Sequence, residues 1–185
     1  MALTESTMLE LGVAAPDFTL TDTVTGKTVS RDDFRGQKAL LVLFICAHCP
    51  YVKHIEKALA ALGNDYSEEP IAIVAISSND ASTHPADSPA GLKQQAETCG
   101  FVFPYLYDKS QSVAHAYKAA CTPDFFLFDA NFRLVYRGQF DSSRPGNKIP
   151  ITGEDLRTAI DLVLADKPVP EDQSPSIGCN IKWKL

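Results

Sequence analysis

The sequence predicts an α/β fold in which helices flank a central mixed sheet that is mostly parallel. Two uninterrupted apolar segments, residues 40–45 and 71–76, are typical of strands buried on both faces of a sheet. Between them, apolar residues recur at helical spacing and predict a helix over residues 50–62. A strand, a helix and a second strand at these separations predict a right-handed parallel βαβ unit.

The segments around this unit extend the prediction. Residues 12–30 predict an N-terminal β-hairpin extension, because two short alternating stretches flank a turn at residues 25–27. The downstream elements are helices over residues 91–100 and 111–120, a hairpin over residues 125–140, and a last helix after Thr152. We expect one domain over residues 12–165, an N-terminal arm at residues 1–11, and an irregular C-terminal tail at residues 166–185 that packs on the domain.

Composition narrows the class of function. The chain has 185 residues and a formal net charge of −6, which argues against binding to nucleic acid or to an anionic membrane. The first residues lack the basic and apolar regions of a secretory leader, and we therefore expect a cytoplasmic protein. The five cysteines are an odd number and do not suit a secreted disulfide scaffold. They suit catalytic or metal chemistry in a reducing compartment.

Two cysteines separated by two residues, Cys46 and Cys49, end the first apolar strand at the point where a helix begins. Free backbone N–H groups and the helix dipole at this point favour the thiolate of Cys46. Cys49 lies near the apolar stripe of the helix predicted over residues 50–62, so it should be less exposed than Cys46. We therefore predict that Cys46 attacks a disulfide and that Cys49 resolves the intermediate. No cofactor is needed for this exchange.

His48 lies between the two cysteines. A hydrogen bond from its ring to the thiolate would stabilise the reduced form and make the couple more oxidising. A plain polar loop residue is the alternative interpretation of His48. A Cys-x-x-Cys pair is also half of a zinc site, but the second pair is missing at zinc-finger spacing, and only Cys121 and His54 are nearby candidates. We expect no metal ion.

The strand that leads into Cys46-x-x-Cys49, followed by a Thr122-Pro123 that opens a hairpin, resembles the thioredoxin fold. The resemblance implies that Pro123 is a cis proline facing the dithiol. It also implies that Thr122 lies beside the site and binds the backbone of a partner.

The stretch Gly12-x-x-Ala15-Pro16-Asp17-Phe18-x-Leu20 is similar to the N-terminal signature of the redoxins. That superfamily includes the AhpC/TSA peroxiredoxins and the TlpA-like reductases of cytochrome maturation. The resemblance covers roughly residues 10–165. The motif Cys-x-His-Cys-Pro-Tyr-Val and the Ser-Ile-Gly-Cys tail resemble, more narrowly, a bacterial group of thioredoxin-like redoxins.

This chain departs from both branches. Leu40 replaces the buried acid that thioredoxins carry six residues before the first cysteine, so proton removal from Cys49 needs another group or water. Ala39 and Leu43 replace the proline and the threonine that precede the reactive cysteine of peroxiredoxins. The absence of the threonine, where Leu43 stands, argues against efficient peroxidase chemistry.

Two further cysteines, Cys121 and Cys179, are candidates for a third redox thiol. Cys121 lies two residues before Pro123, and Cys179 lies in the tail among apolar residues that need burial. A structural role is the favoured interpretation of both residues.

The leading prediction is a thiol–disulfide oxidoreductase that acts on protein or small-molecule disulfides with a thiol electron donor. The alternatives are a thiol peroxidase with antioxidant activity and a non-catalytic module that binds a metal or senses redox state. The sequence leaves the substrate, the donor, the direction of electron flow and the oligomeric state open.

Overall fold

The structure is a computed structural model that describes residues 3–184. The helices are α1 (Pro50–Asp65), α2 (Pro89–Cys99), α3 (Ser112–Tyr117) and α4 (Glu154–Leu164), with short 3-10 turns at Arg31–Phe34 and Pro85–Asp87. The strands are β1 (Leu3–Glu5), β2 (Thr19–Asp22), β3 (Thr28–Ser30), β4 (Ala39–Phe44), β5 (Ile71–Ser77), β6 (Tyr105–Tyr107), β7 (Cys121–Thr122), β8 (Asp124–Asp129), β9 (Leu134–Tyr136) and β10 (Ile177–Asn180). No helix in the described range is long and apolar enough to cross a membrane.

A seven-stranded mixed sheet in the order β3-β2-β6-β5-β4-β8-β9 forms the centre of the fold. β4 is parallel to β5 and antiparallel to β8, and every residue of β4 and β5 is buried. The predicted βαβ unit and the mixed sheet flanked by helices are confirmed. Both predicted hairpins are also confirmed, because β2 pairs antiparallel with β3 and β8 pairs antiparallel with β9.

Apolar side chains fill both faces of this sheet. Successive residues of β4 point to opposite faces, as the strand period of two requires. Leu41 and Leu43 pack in the layer that contains the apolar stripes of α1 and α4. Leu40 and Val42 pack in the opposite layer, against α3. Because apolar layers cover both faces of the sheet, β4 is apolar throughout and its C-terminal end is held in place.

A second, three-stranded sheet corrects the expectation of an irregular tail and a separate N-terminal arm. Its order is β1-β10-β7, and β10 pairs antiparallel with both neighbours. The tail strand therefore lies between the N-terminal segment and the segment that precedes Pro123. A Cβ atom on Gly178 would lie 2.0 Å from the carbonyl oxygen of Thr122. The close approach of these two backbones explains the glycine at this position.

Candidate active site

The dithiol lies where β4 ends and α1 begins. Cys46 follows the last residues of β4, and Cys49 is the N-cap residue of α1, whose first residue is Pro50. Proline suits this position because its missing N–H would have no partner within the helix. All five cysteines of the chain are present as thiols.

The Thr122–Pro123 peptide bond is cis and lies against the dithiol, as the resemblance to the thioredoxin fold implied. The Sγ atom of Cys46 lies 3.4 Å from the hydroxyl oxygen of Thr122. The Sγ atom of Cys49 lies 3.2 Å from the carbonyl oxygen of the same residue. The structure therefore brings the predicted pair Thr122 and Pro123 against the predicted dithiol, Cys46 and Cys49.

The backbone of Thr122 pairs with the chain itself. In the register of β7 and β10, Thr122 lies opposite Cys179. The resemblance implied that Thr122 binds the backbone of a partner, and in this structure the C-terminal strand occupies that edge. The tail thus closes one side of the dithiol.

Both sulfur-bearing side chains of the dithiol are buried. Cys46 and Cys49 each have 0% of their surface exposed. The expectation that Cys46 is the more exposed of the two is therefore wrong for this conformation. Contact of either sulfur with another molecule requires a local opening of the segments around it.

The two thiols differ in acidity. A hydrogen bond from the Cys46 thiol, with others from Cys179 and Thr122, outweighs burial and lowers the pKa of Cys49 to about 4. The hydrogen bond to Cys49, burial and the charge of Asp87 raise the pKa of Cys46 well above its usual value. Of the two thiols, Cys49 is therefore the more acidic and is the one that ionises first.

This distribution differs from the expectation that the helix terminus stabilises a Cys46 thiolate. The helix begins at Pro50, so its N-terminus lies at Cys49. The backbone N–H groups of Ala47 and His48 donate to the carboxylate of Asp87, at 2.8 and 3.1 Å, and are not directed at the sulfur of Cys46. These amides therefore stabilise the negative charge of the Asp87 carboxylate and not a thiolate on Cys46.

Asp87 is a site residue that sequence reasoning missed. It is fully buried at the end of the turn Pro85–Asp87, and its second oxygen accepts hydrogen bonds from Asn79, at 2.8 Å, and from His48. Burial opposes ionisation, but the hydrogen bonds from His48, Asn79 and the amide of Ala47 lower the pKa of Asp87. The only signal for it was the length of the polar loop after β5, since long loops usually have a function.

His48 contacts Asp87 and Cys46 through the same ring nitrogen. Its Nδ1 atom lies 2.5 Å from the Asp87 carboxylate and 3.7 Å from the Sγ atom of Cys46. The ring also packs on the ring of His84, with centroids 4.6 Å apart. The expected contact with the first cysteine is present, but the nitrogen that makes it is shared with a buried carboxylate.

Cys46, His48 and Asp87 are also the described residues that come nearest to a metal site. Their donor atoms lie within 4.8 Å of one another. The Asp87 oxygens, however, already accept hydrogen bonds from two backbone amides, Asn79 and His48. His54, considered as a ligand from the sequence, bonds the hydroxyl of Ser143 at 2.8 Å. These contacts fit a hydrogen-bonded Asp–His pair beside a thiol better than a ligand set.

The structure separates the two candidates for a third thiol. The Sγ atom of Cys179 lies 2.9 Å from the Sγ atom of Cys49. Burial and the hydrogen bond to Cys49 raise the pKa of Cys179 to about 12. The Sγ atom of Cys121 instead lies 3.5 Å from the carbonyl oxygen of Pro123, and burial raises the pKa of this thiol. Cys179 therefore contacts the dithiol through Cys49, whereas Cys121 packs against Pro123.

Comparisons with known proteins show the family of this chain. The model of the AhpC/TSA family matches residues 11–137. The curated relatives include the thiol-disulfide oxidoreductase ResA of Geobacillus kaustophilus, 28% identical over 128 residues, which are 69% of this chain and 68% of the relative. The ResA protein of Geobacillus thermodenitrificans is 27% identical over 131 residues, covering 71% of this chain and 70% of the relative.

Solved structures resemble the whole chain. A conserved protein from Geobacillus kaustophilus is 53% identical with a TM-score of 0.97, and the match covers 100% of this chain and 97% of that protein. A hypothetical protein from Sinorhizobium meliloti is 50% identical with a TM-score of 0.96, covering 98% and 99%. The thioredoxin domain of a Bacteroides vulgatus thiol-disulfide oxidoreductase is 22% identical with a TM-score of 0.66, covering 85% and 99%, and it shows the fold. The chain therefore belongs to the AhpC/TSA family and is a redoxin with the thioredoxin fold, an oxidoreductase.

Proposed function

We propose that this protein is a thiol–disulfide oxidoreductase that uses Cys46 as the attacking thiol and Cys49 as the resolving thiol. The observation that carries the proposal is the placement of both sulfurs against Thr122, at 3.4 and 3.2 Å, at the N-terminus of α1. Two adjacent thiols that share one proton have the chemistry that disulfide exchange requires. No metal or organic cofactor takes part.

The first step uses Cys49 as the proton acceptor for Cys46. When a substrate disulfide reaches Cys46, the proton of this thiol passes to the Cys49 thiolate. The Cys46 thiolate then attacks one substrate sulfur, a mixed disulfide forms, and the substrate S–S bond breaks to release one half of the substrate as a thiolate. The pKa of Cys49, lowered to about 4, keeps this acceptor ionised in the resting protein.

The second step returns the proton. The thiol of Cys49 passes its proton to the released substrate thiolate and attacks the Sγ atom of Cys46. A Cys46–Cys49 disulfide forms, and the second half of the substrate leaves. The substrate has gained two electrons and the dithiol has lost two. Because the released substrate thiolate accepts the proton of Cys49, this step does not need the acid that Leu40 replaces on β4.

The substrates that fit are protein disulfides and small-molecule disulfides, and a thiol reductant regenerates the dithiol. Curated relatives at 27–28% identity carry the name thiol-disulfide oxidoreductase, which supports this class. Since both sulfurs are buried, the substrate must reach them through a local opening.

Insulin-disulfide reduction with dithiothreitol as donor tests the proposal. We expect the wild-type protein to accelerate the reaction and Cys46→Ser to abolish the acceleration. Cys49→Ser, incubated with insulin in the absence of dithiothreitol, should accumulate a mixed disulfide between Cys46 and the substrate. Cys99→Ser, which replaces a thiol at the C-terminal end of α2 that bonds neither dithiol sulfur, is the matched control and should behave as wild type. A Cys46→Ser protein that retains turnover, together with a Cys49→Ser protein that traps nothing, would refute the assignment of roles.

A thiol peroxidase is the second candidate, and one contact favours it. The hydroxyl of Thr122, 3.4 Å from the Sγ atom of Cys46, offers the kind of group that Leu43 lacks on β4. In this reaction the Cys46 thiolate attacks one peroxide oxygen, the O–O bond breaks, the other oxygen leaves as water or an alcohol after taking up a proton, and Cys46 becomes a sulfenic acid. Cys49 then displaces water and forms the disulfide. Peroxide consumption by wild type, lost in Thr122→Val, would support this candidate, and absence of consumption in wild type would refute it.

A further inference from the structure

We propose that Cys179 is a third redox thiol, which exchanges with the Cys46–Cys49 disulfide to form a Cys49–Cys179 disulfide. The inference rests on the proposed function and deepens it, because it assigns the C-terminal strand a step in the same cycle. Cys49 becomes the central sulfur, bonded to Cys46 in one oxidised form and to Cys179 in the other.

The distance between the two sulfurs carries the proposal. The Sγ atoms of Cys49 and Cys179 are 2.9 Å apart, and a disulfide bond is about 2.05 Å long. Closing this gap requires a relative movement of the two sulfurs of about 0.9 Å. The sulfurs of Cys46 and Cys49 both lie against Thr122, at 3.4 and 3.2 Å, so Cys49 lies between its two prospective partners.

The backbone holds Cys179 in this position. Cys179 pairs with Thr122 in the β7–β10 register and with Leu3 in the β1–β10 register, so its Cα atom is fixed from both sides. The preceding Gly178 lets β10 approach the carbonyl of Thr122 more closely than any side chain would permit. A cysteine that served only to anchor the tail would need burial but no contact with the dithiol.

The exchange consumes the Cys179 thiol and releases the Cys46 thiol. Cys179 loses its proton and its sulfur attacks Cys49, the Cys46–Cys49 bond breaks, and the proton is taken up by the departing sulfur of Cys46. No electrons enter or leave in this step. Cys46 becomes a thiol again, while the oxidised pair is now Cys49–Cys179. A dithiol donor then attacks the Cys49–Cys179 bond and returns the protein to its reduced form with the transfer of two electrons.

Disulfide mapping of the full chain tests the proposal without any turnover. The protein is oxidised with glutathione disulfide, remaining thiols are alkylated in acid, and the peptides are identified by mass. We expect wild type to contain both Cys46–Cys49 and Cys49–Cys179, and Cys46→Ser to contain Cys49–Cys179. Cys99→Ser, the matched control, should give the wild-type pattern. Cys46→Ser in which Cys49 and Cys179 are alkylated or carry glutathione, with no bond between them, would overturn the proposal.

Gly178→Ala tests the role of the strand register. The new Cβ atom would collide with the carbonyl oxygen of Thr122 and force β10 away from β7. We expect loss of the Cys49–Cys179 disulfide with retention of Cys46–Cys49, while Glu171→Ala, at an exposed tail position, keeps both. A wild-type yield of Cys49–Cys179 in Gly178→Ala would contradict the inference that β10 positions Cys179. Failure of the proposed function would appear instead as absence of insulin reduction by wild type.

Discussion

The Nδ1 atom of His48 bonds the buried carboxylate of Asp87, although the two residues are 39 positions apart in the sequence. This contact ties the loop after β5 to the dithiol. Thioredoxins place a buried acid on the strand before the first cysteine, and Leu40 occupies that position here. Asp87 supplies a buried acid from a different element, and it lies on the Cys46 side of the pair. Its charge therefore acts on the thiol that carries the proton.

We predict that Asp87→Asn lowers the free energy of unfolding by about 2–3 kcal/mol, because an amide cannot accept all the hydrogen bonds that the carboxylate accepts. Its one oxygen can retain the amides of Ala47 and His48, whereas its NH₂ group faces the donors of Asn79 and His48. Urea unfolding measures the change. The variant should also lower the pKa of the Cys46 thiol, since the charge that raises it has been removed.

Asp80→Asn is the matched control for this variant. Asp80 lies in the same loop, but it is only partly buried, and its carboxylate accepts hydrogen bonds from the neighbouring Ser82. Asp80→Asn should therefore lower the urea midpoint much less than Asp87→Asn. Equal stability of the two variants would contradict the prediction.

We predict that the Cys46/Cys49 couple is more oxidising than thioredoxin, whose potential is about −270 mV. The lowered pKa of Cys49 stabilises the reduced form, because the thiolate exists only when the disulfide is open. Titration in glutathione buffers measures the potential. The Cys179→Ser protein should be used, since it excludes the second disulfide. A potential at or below that of thioredoxin would contradict the prediction.

Local patterns predicted the parts of the site that adjoin the βαβ unit. An apolar strand and an amphipathic helix each produce a periodic signal within a few residues, so the positions of Cys46 and Cys49 between them followed directly. The resemblance of Thr122-Pro123 to the thioredoxin fold then supplied the opposite wall. Each of these inferences used residues that are neighbours in the sequence or that match a known motif.

The remaining parts depend on contacts between distant segments, which no local pattern records. β10 is four residues long and pairs with two strands that lie far from it in the sequence. Its sequence, Ile-Gly-Cys-Asn, has no alternation that would distinguish a strand from a coil. Asp87 is one of two acids in a polar loop, and only its burial against Ala47 and His48 identifies it.

We predict that a titration of the reduced protein shows a thiolate with a midpoint near pH 4, which Cys49→Ser eliminates. Ultraviolet absorbance of the thiolate follows the titration. The native state loses this proton at a lower pH than the unfolded state, whose thiol has an ordinary pKa of 9.0. Ionised Cys49 therefore stabilises the reduced protein above the unfolded-state pKa, and this contribution is lost as the pH falls through the native-state value.

The difference in unfolding free energy between reduced wild type and Cys49→Ser isolates this contribution. The difference should increase as the pH rises between the two pKa values and stay constant above them. Cys99→Ser, measured in parallel, should show no such trend relative to wild type. A midpoint that survives in Cys49→Ser and disappears in Cys46→Ser would place the thiolate on Cys46 instead.

The ion pair of Asp124 and Arg137 holds the segment beside the dithiol in place, and we predict that Arg137→Met lowers the free energy of unfolding by about 3–5 kcal/mol. Both side chains are fully buried, and an Arg137 nitrogen lies 3.2 Å from an Asp124 oxygen. The variant leaves the carboxylate buried without its countercharge. The double variant Arg137→Met/Asp124→Asn should recover part of the loss, because it removes that charge. Urea unfolding measures the stability of the single and the double variant. Arg35→Met, which removes the arginine of an exposed ion pair, is the control. Equal stability of Arg137→Met and Arg35→Met would contradict the prediction.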